Sequence, residues 1–428
     1  MQTMSTIIEI LQERGLIEAS TNQQIKEIAK QPLKVYCGFD PTADSLHLGN
    51  LVAMMGLAWF QRLGHTPVVV LGGATGMIGD PTDRSTERKL LDEETLKINL
   101  EGISKNFDRI LKFDTQKNQP LILNNYDWFK SFTFIRFLRD FGKFFRMGPM
   151  LSKESVKKRL QSEDGMSYTE FAYQVLQGYD FLHLYETHGV TVQLGGSDQW
   201  GNITAGTELI RKVHATTCFG LTFPLLTKSD GQKFGKSETG AIWLSEEKLS
   251  VYDFYQYLIR VEDDDVIKLM RMLTFMDMEE IYQYAAAMKK EDYVPRTAQK
   301  KLALEVTSIV HGQAKTMEAI EITQNLAPGS QTKLDAVSLN ELSKQLPNYE
   351  ANFDETEKKK LVDLLVELQL LPSKSEARKL IKNGGVYINN EKVIDENCFI
   401  EQSYFIANHL MLLAIGKKKK VLIKFKSI

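Results

Sequence analysis

Apolar positions along the chain change their period in a regular way. Residues 33–39 (LKVYCGF) form a short extended apolar segment, and the turn-rich DPTADS at 40–45 separates them from an apolar run at 48–63 with three- and four-residue spacings. That succession predicts a strand, a turn and a helix. It returns near the middle of the chain, where 190–194 reads as a buried strand, GGS as a turn and 202–213 as a helix. Another apolar strand, 68–71, runs into a glycine-rich loop, GGATGMIGDPT at 72–82. Strands alternating with helices predict an α/β unit with a parallel sheet. From 244 to about 322 the spacing is helical almost throughout, with Leu258, Val261, Ile267, Met270, Leu273, Ile281, Leu302, Leu304, Val306 and Ile309 in phase, which predicts an all-α region. Residues 324–353 are polar and hold Pro328, Gly329, Ser330 and Pro347, so they read as a linker.

Two further stretches carry more than periodicity. Ser167 and Glu170 are spaced as a capping box, and on the helix they start, Tyr173, Gln177 and Asp180 share an arc of about 60°. Phe171, Val175 and Leu182 lie opposite, so spacing alone predicts that the polar stripe faces water. A hydroxyl, an amide and a carboxylate converging beside Leu184 support a second reading, the wall of a site for a small zwitterion. In residues 373–393, Lys374, Arg378 and Lys382 recur every four positions opposite Ala377, Leu380 and Ile381, which makes a cationic ridge. Gly384 and Gly385 then cap this helix in left-handed geometry, 386–388 read as a strand and Asn389-Asn390 as a tight turn.

Composition adds bounds. The 428 residues are 43% hydrophobic and 25% charged, enough for two or three domains. The net charge of −2 conceals an asymmetry, because residues 357–428 hold 14 Lys and Arg against 8 Asp and Glu. An acidic body carries a basic tail, which by its charge alone reads as a solvated face and needs more than its sum to count as a nucleic-acid site. Cys37, Cys218 and Cys398 are too far apart for paired metal-ligand motifs, and the seven histidines show no metal spacing, so neither zinc nor a disulfide is expected. No stretch is long enough to span a bilayer, and the N-terminus lacks a basic segment followed by an apolar block. A cytoplasmic setting is the expectation.

The chemistry is carried by HLGN at 47–50 and KFGKS at 233–237. A helix opening at HLGN directs its N-terminal amides and positive dipole end at the preceding turn, and His47 adds a side-chain donor, which suits phosphate. Gly49 and the pair Gly195-Gly196 permit close approach to the backbone, and Asp198 is short enough to accept from ribose hydroxyls at the strand ends. Neither GxGxxG nor GxxxxGK[ST] occurs, so a dinucleotide dehydrogenase and a Walker-type NTPase are unsupported.

Five segments taken in order, YCGFDPTADSLHLGN (36–50), GGATGMIGDPT (72–82), YQVLQGYDF (173–181), QLGGSDQWGNITAG (193–206) and KFGKS, identify a resemblance to the bacterial tyrosyl-tRNA synthetases, class I enzymes, over essentially the whole chain. The resemblance implies a Rossmann-like catalytic domain at 1–243 with an insertion at about 122–158. An all-α anticodon-binding domain at 244–323, a linker at 324–356 and a small α+β S4-like RNA-binding domain at 357–428 follow. It implies L-tyrosine, ATP with Mg²⁺ and tRNA(Tyr) as partners. It places Tyr36 and Asp180 at the substrate phenol and Asp80, Tyr173 and Gln177 at its ammonium group. Asp40, Gly49, Asn50, Gly196, Asp198, Gln199, Lys233, Lys236 and Ser237 fall around ATP, with Thr42, His47, Lys233 and Lys236 as the catalytic set. Lys374, Arg378 and Lys382 would meet tRNA.

Two departures from the general class I signatures stand out. The first motif ends in Asn50 where the general one has a histidine, and the second has Phe234 and Gly235 at its centre. Cys37 reads either as a ribose contact or as a buried thiol. Phe132, Phe134, Phe137, Phe141, Phe144 and Phe145 in the insertion suggest either a core or an interface, and the resemblance implies a symmetric homodimer with this region at the contact. A tryptophanyl-type enzyme and a catalytically dead RNA-binding relic are the competing functions.

Overall fold

The structure, a computed structural model, describes residues 5–82, 91–163, 165–237, 240–325, 334, 339, 343, 346–352, 358–407, 409–416 and 419–426. The chain forms two compact units, Met1–Leu249 with Tyr257–Gly312, and Ser250–Gln256 with Gln313–Ile428.

Six strands make the sheet of the first unit: β1 (Ala19–Ser20), β2 (Lys34–Phe39), β3 (Thr66–Leu71), β4 (Leu121–Asn124), β5 (Val192–Gly196) and β6 (Phe219–Phe223). Their order is β1-β6-β5-β2-β3-β4, all parallel except β1, which runs antiparallel to β6. β3 and β6 are buried almost end to end, as strands covered on both faces must be, and this explains why 68–71 reads as a continuous apolar run. From β2 the chain winds outward through β3 to β4, then returns to β5 on the other side of β2. Strand order therefore reverses between β2 and β5, the place where sheets of this kind bind ligands beyond the carboxyl ends of their strands. Register sets Tyr36 beside both Val68 and Gln193.

The helix Leu48–Arg62 connects β2 to β3, with Leu48, Leu51, Met54, Met55 and Phe60 fully buried. Helix Tyr168–His188 begins at the expected capping box of Ser167 and Glu170 and stops at Gly189 in left-handed geometry. The helices Asp263–Leu273, Met278–Ala287 and Thr297–His311 confirm the all-α reading beyond residue 244, with Met270, Leu273, Ile281, Leu302 and Val306 buried.

In the second unit, five strands run in the order Glu391–Val393, Val386–Ile388, Leu410–Ile415, Lys419–Lys426, Asn348–Asn352. Helices Leu361–Glu367 and Lys374–Lys382 share its core through Leu361, Leu365, Ala377, Ile381, Ile388, Leu413 and Ile423. The linker reading of 324–356 needs correction here, since Asn348–Asn352 is an edge strand paired in parallel with Lys419–Lys426. Most of the remaining linker lies outside the described residues. Asn389 and Asn390, at φ of 47° and 69°, form the expected tight hairpin turn. Only Gly384 of the two glycines has positive φ, at 66°. Gly385 serves packing instead, because a Cβ there would meet the Leu380 side chain at 2.7 Å.

Candidate active site

The loops after β2, β3 and β5 enclose one cavity of about 430 Å³ at the crevice where strand order reverses. Its lining brings together Tyr36, Asp40, Thr42, His47, Gly49, Asn50, Asp80, Tyr173, Gln177, Asp180, Gly196, Asp198, Gln199 and Lys233, residues drawn from five separate stretches of sequence.

One end is buried and cross-linked. Asp180, 4% exposed, accepts from Trp128 Nε1 at 2.8 Å on Oδ1 and from Asn125 Nδ2 at 3.1 Å on Oδ2. The same Asn125 amide donates to Thr75 Oγ1, and Thr75 donates to Asp40 Oδ1 at 2.7 Å. Tyr173 Oη donates to the other Asp40 oxygen at 2.9 Å. Glycine at 72 is required for this arrangement, since a Cβ would stand 2.1 Å from Asp40 Oδ1. Tyr36 is 1% exposed, and its hydroxyl makes no hydrogen bond within the protein. Burial pushes the Asp180 carboxyl up to about 8 despite its two N–H donors, and burial and then Asp180 push the Tyr36 phenol well above its ordinary value. Burial likewise takes the Cys37 thiol up to about 12, which leaves it a protonated wall group.

The expected exposure of the Tyr173 stripe is thus reversed. Tyr173 and Asp180 face the interior while Phe171 and Val175 are partly exposed, because the helix turns its polar residues into the cavity. Beside it, Asp80 accepts from the Thr82 N–H and from Gln199 Nε2 at 2.7 Å, while Asn202 holds the Gln199 carbonyl.

At the other end the helix opening differs from the expectation of free amides and bears out the ordinary role of a histidine at a helix start, that of a cap. The first amides of Leu48–Arg62 are occupied: Leu48 N–H donates to Ile242 O, Gly49 N–H to His47 Nδ1 and Asn50 N–H to His47 O. His47 is the cap, and Asn50 closes the box by accepting from the His47 N–H. An acceptor at Nδ1 puts the neutral ring's proton on Nε2. A Cβ at Gly49 would meet the His47 ring and one at Gly196 the Asp198 carboxylate, so both positions need glycine while their backbones line the cavity. What this end offers an anion is the helix dipole and side chains, Thr42 and Lys233 among them. Lys236 and Ser237 pair through their backbones with Gly240–Ala241; their side chains lie outside the described part of the structure.

The family model of class I tRNA synthetases (W and Y) matches residues 28–327, and that of the tyrosine–tRNA ligase SYY-like C-terminal domain matches 338–423. A tyrosine–tRNA ligase of Protochlamydia amoebophila is 63% identical, covering 98% of this chain and 99% of its own. The chloroplastic/mitochondrial enzyme of Arabidopsis thaliana is 50% identical over 98% of this chain and 83% of its own. Among solved structures, the truncated mitochondrial tyrosyl-tRNA synthetase of Coccidioides posadasii aligns with a TM-score of 0.66 at 32% identity, covering 74% of this chain and 91% of that one. The chain belongs to the class I tyrosyl-tRNA synthetases.

In a tyrosyl-tRNA synthetase read from sequence, two residues escaped notice that the structure brings to the centre: Asn125 and Trp128. They follow β4 and were read as part of the insertion, although Asn125 sits where a parallel strand ends, which is the one signal that pointed to them. The basic ridge of this synthetase is also less bare than its sequence suggested. Lys374 pairs with Asp363 at 2.8 Å and Lys382 with Glu396 at 3.2 Å, while Arg378 borders a surface hollow with Lys379 and Asn383. In the insertion, Phe132, Phe137, Phe141, Phe144 and Phe145 pack against the core around Tyr179, whereas Phe134 and Ile135 are exposed. Among the described residues no helix is long and apolar enough to cross a membrane.

Proposed function

We propose that this chain activates L-tyrosine with ATP to tyrosyl-adenylate and then transfers the tyrosyl group to the terminal ribose of tRNA(Tyr). The observation that carries the reading is a buried carboxyl group, Asp180, held from both sides by Asn125 and Trp128 across from the unsatisfied Tyr36 hydroxyl. A phenol entering there donates to one and accepts from the other. A phenylalanine ring leaves the buried Tyr36 hydroxyl without a partner and gives Asp180 nothing in exchange for displaced water, a penalty of about 1–3 kcal/mol per unmade bond, so no editing step is needed. Asp80, Tyr173 and Gln177 receive the ammonium group, and Gln177 brings a buried carbonyl that has no partner within the protein.

In the reaction a tyrosine carboxylate oxygen attacks the α-phosphorus of ATP, forming a P–O bond as the bond to pyrophosphate breaks. Negative charge moves to the leaving group, where Thr42, His47, Lys233 and Lys236 hold it more tightly in the transition state than in the ground state. Asp40, Gly49, Asn50, Gly196, Asp198, Gln199 and Ser237 position the nucleotide. Mg²⁺ enters with ATP, bound through its phosphates, since Asp40 and Asp80 already serve Tyr173, Thr75, Gln199 and Thr82. The segment 357–428 takes the S4-like role, with Lys374, Arg378 and Lys382 toward tRNA, and 244–323 meets the anticodon. The exposed Phe134, Ile135 and Met147 supply the contact of a cytoplasmic homodimer.

Pyrophosphate exchange into ATP with tyrosine, tryptophan and phenylalanine tests this directly. Exchange with tyrosine alone is expected. Exchange with tryptophan would point to the sister specificity, and exchange with none of the three to an RNA-binding relic.

A further inference from the structure

The loop that carries Lys233 is folded as a hairpin. Phe234 N–H donates to Leu226 O, Lys228 N–H to Gln232 O, and Thr227 bridges to Lys233. Nothing in this hairpin is long enough to hold a lysine in place by itself, because a two-stranded hairpin is marginal without packing. Three side chains from the helical region fasten it, all within the first unit. Lys268 Nζ donates to Thr227 O at 3.1 Å, and Asp265, 5% exposed, accepts from Ser229 N–H at 2.8 Å. Beyond Lys233, Tyr257 Oη accepts from Gly235 N–H at 3.2 Å, while its ring packs edge-on against buried Phe234.

These contacts fall on both sides of Lys233, and one of them continues into the helix that starts at HLGN. Gly235, at φ of 87°, accepts from Ile242 N–H at 2.9 Å, and Ile242 accepts from Leu48 N–H at 2.8 Å. A chain of three hydrogen bonds therefore runs from Tyr257 through the loop to the first amide of that helix. It joins the side chain that anchors the loop to the helix end beside which His47 sits.

We propose that Tyr257, Asp265 and Lys268 are positioning residues for the activation step: they set where Lys233 and the following glycine stand relative to His47, and so govern how the departing pyrophosphate is held. None lines the cavity. The inference rests on the reading of Lys233 as a pyrophosphate contact, and it gives the helical region a part in catalysis that periodicity could not assign to it.

The test measures the single-turnover rate of tyrosyl-adenylate formation at saturating ATP, alongside the dissociation constant for tyrosine. Tyr257→Phe keeps the ring against Phe234 and removes only the acceptor, and Asp265→Ala removes the other anchor. Each is expected to slow adenylate formation about tenfold, the worth of one good hydrogen bond, with tyrosine affinity within about twofold of the parent. Asp265→Asn retains an acceptor oxygen for Ser229 N–H and is expected to return the rate to within about twofold. An unchanged rate in both Tyr257→Phe and Asp265→Ala overturns the inference, as does a parallel loss of tyrosine affinity or a failure of Asp265→Asn to rescue. Should Asp265→Ala not fold, Tyr257→Phe decides alone. A parent protein that forms no adenylate would instead bring down the proposed function, and this inference with it.

Discussion

The two ends of the cavity are built differently. Where Tyr36 and Asp180 meet, a hydrogen-bonded network runs from Tyr173 through Asp40, Thr75 and Asn125 to Asp180 and Trp128, and the Tyr36 hydroxyl stands outside it. Around HLGN and Lys233 the helix amides are already used by the protein, Thr42 and Lys233 are exposed, and the lysine stands on a hairpin fastened from outside. The first end is preorganised, so on the proposed reading discrimination between amino acids precedes any contact with ATP. At the second, on the same proposed reading, side chains stabilise charge by taking up positions around the triphosphate, which is where a gain confined to the transition state can be made.

The sharpest way to break this contrast is to remove a group from each end. Asp180→Ala should lower kcat/KM for tyrosine by about a thousandfold, because it removes the phenol's acceptor and strands the Asn125 and Trp128 donors together, with KM for ATP little changed. Lys233→Ala should do the reverse, cutting the rate of adenylate formation by about 10²–10³ while tyrosine affinity holds, the range seen when one donor to a developing charge is lost. Equal effects on tyrosine binding from both variants would erase the distinction. Trp128→Phe is milder: stacking on His183, at 4.6 Å between centroids, is retained and one N–H to Asp180 is lost. About a tenfold fall in kcat/KM for tyrosine is expected, with no effect on the ATP-dependent rate at saturation.

The burial of Asp180 also sharpens the contrast through pH. Its carboxyl is pushed up to about 8 when folded, against about 3.9 in an unfolded chain. Between those values the folded state keeps a proton the unfolded state has released, so this group's contribution to stability is present at low pH and is lost as pH rises toward 8, by up to ~1.4 kcal/mol per unit. Asp180→Asn removes the titration. Its unfolding midpoint should gain on the parent as pH goes from 5 to 9, and a pH-independent difference would contradict the burial argument.

Much of the fold was legible because it is local. Strands covered on both faces read as apolar runs, and the helices at 48 and 168 announced themselves through caps and spacing. What escaped depends on distant partners. Residues 348–352 are strand only because 419–426 lies beside them, and NYEAN has little strand character of its own. The polar stripe of Tyr173, Gln177 and Asp180 looked like a wet face because amphipathicity cannot separate water from a polar cavity. The occupied amides at HLGN were hidden for the same reason, since the oxygen that takes Leu48 N–H belongs to Ile242, far along the chain. Asn125 and Trp128 left the faintest trace, because what marks them is a bond to Asp180, more than fifty residues away in the sequence.

Calorimetric titration of the protein with amino acids in the absence of ATP reaches the central claim most directly. A tyrosine site complete in itself should bind tyrosine and show no detectable heat with phenylalanine. Equal binding of the two amino acids, or tyrosine binding that requires ATP, would contradict it.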